Sequence, residues 1–127
     1  MDTRTKIITP EAALELARGA RPVALITGYF DVLLAAHVRA LAGVRERLPE
    51  AILLVAVASP EQPLLEVRAR AEMVAALGVV DYVVSLDEGQ IDRLLAQLPA
   101  ACVVRLEAAH QQSMRELIEH VQRRQST

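Results

Sequence analysis

Short, nearly uniform apolar runs alternate along this chain with longer segments of helical periodicity. Val23 to Thr27, Ile52 to Ala58, Val79 to Val84 and Ala101 to Arg105 are too short for core helices and rich in Val and Ile. Each reads as a strand buried on both faces. Between them, Thr9-Pro10-Glu11 places a capping hydroxyl, a proline and an acid where a helix begins, predicting a helix through about Ala17 that ends near Gly19. A second helix is expected from Leu33 to Leu48, stopped by Pro49. Leu34, Val38 and Leu41 share one of its faces, Leu33, His37, Ala40 and Val44 lie beside it, and Arg39, Arg45 and Glu46 fall on the solvent side. Glu61 to Leu77 predicts a third helix, regular after Pro63 and closed by Gly78, and Glu88 to Leu98 a fourth, ended by Pro99. Ser113-Met114-Arg115-Glu116 has the spacing of a capping box and predicts the start of a last helix. Met114, Leu117, Ile118 and Val121 form its apolar stripe, either core or subunit interface.

Apolar strands alternating with amphipathic helices specify an α/β domain whose parallel sheet is covered on both faces. Such sheets take ligands at the carboxyl ends of their strands, where the strand order reverses. No internal repeat, linker or low-complexity segment interrupts the pattern, so a single domain over residues 1–127 is expected.

Composition adds limits. Aromatic residues make up 2% of a chain that is 53% hydrophobic, so the core must be built from Leu, Val, Ile and Ala. A net charge of -2 gives no basis for a nucleic-acid partner. The one cysteine, Cys102, cannot form an internal disulfide, reads as a buried strand residue and fits a reducing cytoplasm. Met1 to Ile8 is charged and does not resemble a signal peptide, and no apolar run reaches the ~20 residues needed to cross a bilayer. A cytoplasmic protein without a membrane partner is therefore expected. His110 and His120 lack metal-ligand spacing, so no metal site is expected, and Arg115, Arg123 and Arg124 are interspersed with acids and amides as on a solvent face.

The candidate chemistry lies at the end of the first strand, in Gly28-Tyr29-Phe30-Asp31-Val32-Leu33-Leu34-Ala35-Ala36-His37. Gly28 permits a sharp turn there, and Thr27, Gly28 and Tyr29 can present backbone N–H groups to an anion. The segment resembles the G-x-F-D-x-x-H-x-G-H signature of the cytidylyltransferase-like nucleotidyltransferases. Gly28, Phe30, Asp31 and the second histidine, His37, are in place, whereas Leu34 replaces the first histidine and Ala36 the glycine. Lys6-Ile7-Ile8 with the first helix, Leu53 to Val57, Arg70, Ala76-Leu77 and Val80-Asp81-Tyr82-Val83-Val84 resemble the sugar-phosphate branch of that family, close to glycerol-3-phosphate cytidylyltransferase, over roughly Lys6 to Arg105.

The resemblance implies a Rossmann-like three-layer sandwich of the nucleotidyltransferase type, with about four parallel strands in the order 3-2-1-4. It also implies CTP or ATP as ligand, magnesium as cofactor of an active enzyme, and attack of a sugar phosphate on the α-phosphorus. The nucleotide-binding residues it implies are Thr27, Gly28, Tyr29, Phe30, His37 and Arg70, with His37 catalytic if the protein is active and Asp31 fixing the turn. Arg70 has a second reading as a surface ion pair with Glu66 or Glu72.

The departures from the pattern bear on turnover. Leu34 cannot donate a hydrogen bond, and losing one such donor costs roughly 10²–10³ in rate. Ala36 adds a methyl group where close approach is expected. Arg105-Leu106-Glu107 leads almost directly into the last helix, leaving no place for a fifth strand or a Ser/Thr loop, and Ser126 and Thr127 follow the helix. The departures favour a degenerate member that binds a nucleotide or phosphorylated ligand with little or no transfer. An active sugar- or alditol-phosphate nucleotidyltransferase and a structural subunit with a closed site are the alternatives. An exposed last strand would invite pairing, so a homodimer is the expected assembly.

Overall fold

The computed structural model describes residues 2–31, 33, 35–99 and 102–125. Its elements follow the expected alternation: α1 (Pro10–Arg18), β1 (Val23–Gly28), α2 (Ala35–Arg47), β2 (Ile52–Val57), α3 (Val67–Ala75), β3 (Tyr82–Ser85), α4 (Glu88–Leu95), β4 (Val103–Arg105) and α5 (Glu107–Gln125). The sheet is parallel throughout, in the order β3-β2-β1-β4. The chain winds outward from β1 through β2 to β3, then crosses back to lay β4 on the other side of β1. The order therefore reverses between β1 and β4, and the crevice expected of such a sheet opens there.

Strand alternation builds the three layers. Ala24, Ile26, Leu53, Val55, Val57 and Val83 face Leu41 and Val44 of α2 and Ala71, Val74 and Ala75 of α3. Val23, Leu25, Ile52, Leu54, Ala56 and Val84 face Ala13 of α1 and Ile91 and Leu94 of α4. Every residue of β1 and β2 is buried, as a two-sided apolar strand requires.

Local capping explains the first helix and the fourth. Thr9 accepts from the Ala12 amide with Pro10 in the first turn of α1, and Asp87 and Gln90 close a reciprocal capping box on α4. At the far end of the sheet, Arg45 is half-buried rather than on the solvent side. Its guanidinium donates to Ala51 O, Val79 O and the Asp81 carboxylate, which in turn accepts from the Leu53 amide. This clamp ties α2 to β2 and the approach to β3. With Val79 O and the Val80 amide (bonded to Leu77 O) engaged in turn contacts, β3 begins at Tyr82, later than the apolar run suggests.

Other boundaries also differ from expectation. α3 begins at Val67 rather than near Glu61, because residues 61–66 form bends that place the Leu64 and Leu65 amides on Asp31. α5 begins at Glu107, directly after β4, so Ser113 and Glu116 lie inside it and form no cap. The expected core stripe is partly outside the core: Leu117, Ile118 and Val121 are 37%, 46% and 45% exposed. Cys102 is half-buried and precedes β4. Leu34, Val32, Ala101, Ser126 and Thr127 lie outside the described residues.

Candidate functional site

The turn that follows β1 organises the site. Gly28 ends the strand with its carbonyl accepting from the Ala58 amide, while Thr27 O accepts from Leu106, so β2 and the start of α5 are stitched to its two sides. The left-handed residue of the turn is Phe30, at φ 51°, and not Gly28. A positive φ is unfavourable for a phenylalanine, and complete burial of its ring among Ile26, Leu41 and their neighbours offsets the strain. Gly28 is required for a different reason. A Cβ there would lie 2.4 Å from Cε1 and 2.7 Å from Nδ1 of His110. The missing side chain admits an imidazole against the backbone.

That imidazole occupies the amide side of the turn. His110 Nδ1 accepts from the Tyr29 amide at 3.0 Å and the Phe30 amide at 3.2 Å. A backbone N–H can only donate, so Nδ1 must be unprotonated and the neutral ring carries its hydrogen on Nε2. Nε2 is buried and has no hydrogen-bond partner among the described residues. The ring packs edge-on to Phe30, with centroids 4.5 Å apart, and lies 4.2 Å from the His37 ring. Burial, followed by the neighbouring His37, pushes His110 down from the ordinary value of 6.5 to about 4, against an upward pull from Glu107. His37 is itself buried on α2, with Nε2 3.4 Å from Ser113 Oγ.

Arg70 occupies the carbonyl side. It is 1% exposed and donates to Tyr29 O, Ala58 O, Leu65 O and Ser59 Oγ. Asp31 Oδ1 lies 4.0 Å from its Nε, and the carboxylate also receives the Leu64 and Leu65 amides. Burial lowers the guanidinium from its ordinary value, with Asp31 opposing. The surface pair with Glu66 or Glu72 does not form; Arg68 pairs with Glu72 instead. Arg70, expected to face a triphosphate, turns four N–H bonds from Nε, Nη1 and Nη2 to the scaffold. Asp31, which the resemblance implies fixes the turn, joins it to the Leu64–Leu65 segment through those two amides.

Two cavities meet at Tyr29. One, of about 280 Å³, lies between the turn, the 60–62 loop and α5, and its polar lining includes Asp31, His37, His110, Gln111, Ser113 and Arg115. The other, of about 720 Å³, lies at the carboxyl ends of the strands, with Ser59, Ser85, Asp87, Glu88, Arg105 and Glu107 around its mouth. Thr27, expected to offer its amide to an anion, is a fully buried residue of β1, and its Oγ1 has no partner among the described residues. Ala36 is exposed on α2. Among the described residues no three His, Cys, Asp or Glu side chains come together to hold a metal ion.

The sequence reading brought together Gly28, Tyr29, Phe30 and His37, and the structure places them around one turn. His110 lies outside the motif, and its spacing from His120 speaks only to a metal site. The available signal was register: Leu106, His110, Met114 and Leu117 follow one another at helical spacing, and a histidine in such a row faces inward.

A parallel three-layer α/β sandwich with strand order 3-2-1-4 and a glycine-containing turn ahead of α2 is the architecture of a nucleotidyltransferase-type, Rossmann-like domain. The chain belongs to the cytidylyltransferase-like family, whose model matches residues 25–126. Comparison with curated proteins gave no match. Among the described residues, no helix is long and apolar enough to cross a membrane.

Proposed function

We propose that this chain is a cytidylyltransferase-like protein that binds a nucleotide or another phosphorylated small molecule with little or no nucleotidyl transfer. The observation that carries this reading is the His110 imidazole on the Tyr29 and Phe30 amides. Backbone N–H groups at such a turn would stabilise charge developing on a phosphoryl group, and here a side chain of the same protein competes for them. Leu34, which cannot donate, and Arg70, held by backbone carbonyls, remove two further sources of that stabilisation.

The cavities support the binding half of the proposal. His37 and Arg115 make the smaller one suited to an anionic group, while the Asp31 carboxylate in its lining is taken up by the Leu64 and Leu65 amides. Asp87, Glu88 and Glu107 outnumber Arg105 around the larger one, which suits hydroxyl groups better than phosphate oxygens. A ligand spanning Tyr29 would put its phosphate on the His37 side and its sugar or alditol in the crevice.

The test is calorimetric titration with CTP and ATP, with and without magnesium, alongside a pyrophosphate-release assay with sugar phosphates. The expected result is micromolar binding that weakens in His37→Ala and no release above background. Sustained pyrophosphate release would establish the active transferase instead. No heat and no thermal protection by any of these ligands would leave the structural subunit. The exposed Leu117, Ile118 and Val121 stripe supports a homodimer through α5. A monomeric mass by light scattering across micromolar concentrations would overturn that assembly.

A further inference from the structure

The two amides that meet at His110 form a small concave donor site. Residues 29 and 30 direct successive N–H groups at one acceptor atom, and the left-handed Phe30 gives the backbone the curvature of an anion-binding nest. Its present occupant is a neutral nitrogen. Charged acceptors make hydrogen bonds roughly twice as strong as neutral ones, so an oxyanion oxygen is the better partner for the same pair of donors. The occupant is also incompletely satisfied, since bonding through Nδ1 leaves the Nε2 hydrogen buried without a partner among the described residues. Both facts favour exchange of the imidazole for an anion. His110 lines the smaller cavity, so the route to the turn runs through the space that His37 and Arg115 border.

We propose that His110 is a built-in competitor for an oxyanion site at Tyr29 and Phe30, and that a phosphoryl group binds there by displacing the imidazole from the two amides. This rests on the phosphorylated-ligand reading above and adds its regulation. Displacement frees Nδ1 to take up a proton, and the resulting imidazolium would face the anion that replaced it. Binding is therefore linked to proton uptake. The charged and titratable groups around the ring are Asp31 in the turn, His37 on α2, Arg70 on α3 through Tyr29 O, and Glu107 and Arg115 on α5. The His37 ring lies 4.2 Å away, so the linkage is read as the difference made by His110 alone.

The experiment uses sulfate, a dianion whose charge is constant between pH 5 and 8, and follows binding to the full chain by amide and ring-nitrogen NMR. In the wild type, sulfate is expected to shift the Tyr29 and Phe30 amides and convert the His110 ring from the Nε2-H tautomer to the protonated form. Affinity should rise toward about tenfold per pH unit as pH falls below 6.5. His110→Ala is expected to bind sulfate at least about tenfold more tightly at pH 7.5, because the anion no longer has to displace the imidazole from the two amides, and to lose most of the pH dependence. If His110→Ala does not fold, the wild-type tautomer change decides the matter. Binding with His110 still on the amides, or with equal affinity in the variant, overturns the competitor and leaves the phosphorylated-ligand reading standing. Absence of binding in both proteins, by sulfate and by phosphorylated ligands, overturns both.

Discussion

Arg70 and His110 hold the same turn from its carbonyl and amide sides, and they are satisfied to different degrees. The guanidinium donates to three carbonyls and a hydroxyl, with a carboxylate 4.0 Å away, joining α3 to the ends of β1 and β2. The imidazole uses one nitrogen twice and leaves the other without a partner among the described residues. A buried polar group with all its bonds made rigidifies the fold, whereas one with a bond missing is held more loosely against competitors. The two sides of one turn thus divide between scaffold and site.

The sharpest way to break this contrast is to remove the satisfied partner. Arg70→Met should destabilise the protein by about 3–5 kcal/mol, because the Asp31 carboxylate and the Tyr29, Ala58 and Leu65 carbonyls would remain buried without it. Urea unfolding measures this, and a loss under 1 kcal/mol would mean that the clamp is not structural.

Acid tests the other side. His110 in the fold takes up its proton near 4, below the ordinary value of 6.5, so the unfolded chain binds that proton first as pH falls. The contribution to stability is unaffected above pH 6.5 and declines between pH 6.5 and 4, by on the order of 2–3 kcal/mol. In His110→Phe, which cannot titrate, that part of the decline should vanish from the pH dependence of urea unfolding. An unchanged profile would count against the buried neutral ring.

A smaller effect is expected at Gly28. Gly28→Ala should cost about 1–3 kcal/mol through the collision of its Cβ with the imidazole. Paired with His110→Ala the cost should shrink, leaving the 2.9 Å approach to Phe30 Cε2 as the residual strain. Additive effects in this double-mutant cycle would mean that Gly28 is present for some reason other than His110.

Much of the scaffold was legible because burial on both faces leaves a plain mark. β1 and β2 are continuous apolar runs, and the motif ahead of α2 implied the strand order that the sheet adopts. What sequence spacing misplaced was decided by contacts distant in the chain. Ser113 and Glu116 have capping-box spacing, yet Leu106 bonds to Thr27 and His110 to the turn, which starts α5 six residues earlier. Arg70 looks like a surface helix residue until the bends at 61–66 and the end of β2 fold over it. His110 lies 80 residues from the Phe30 amide it meets, beyond the reach of any local pattern.

The shortness of β4 has its own consequence. It pairs with β1 over Val103–Arg105, has no second neighbour in the sheet, and leads into a helix whose buried residue is His110. A segment so lightly anchored opens at lower free energy than the β1–β2–β3 core. Each opening lifts the imidazole away and bares the Tyr29 and Phe30 amide protons to solvent. Their hydrogen-exchange rates should therefore follow the excursions of β4 and α5 rather than global unfolding, although the turn itself adjoins the best-buried strand of the protein.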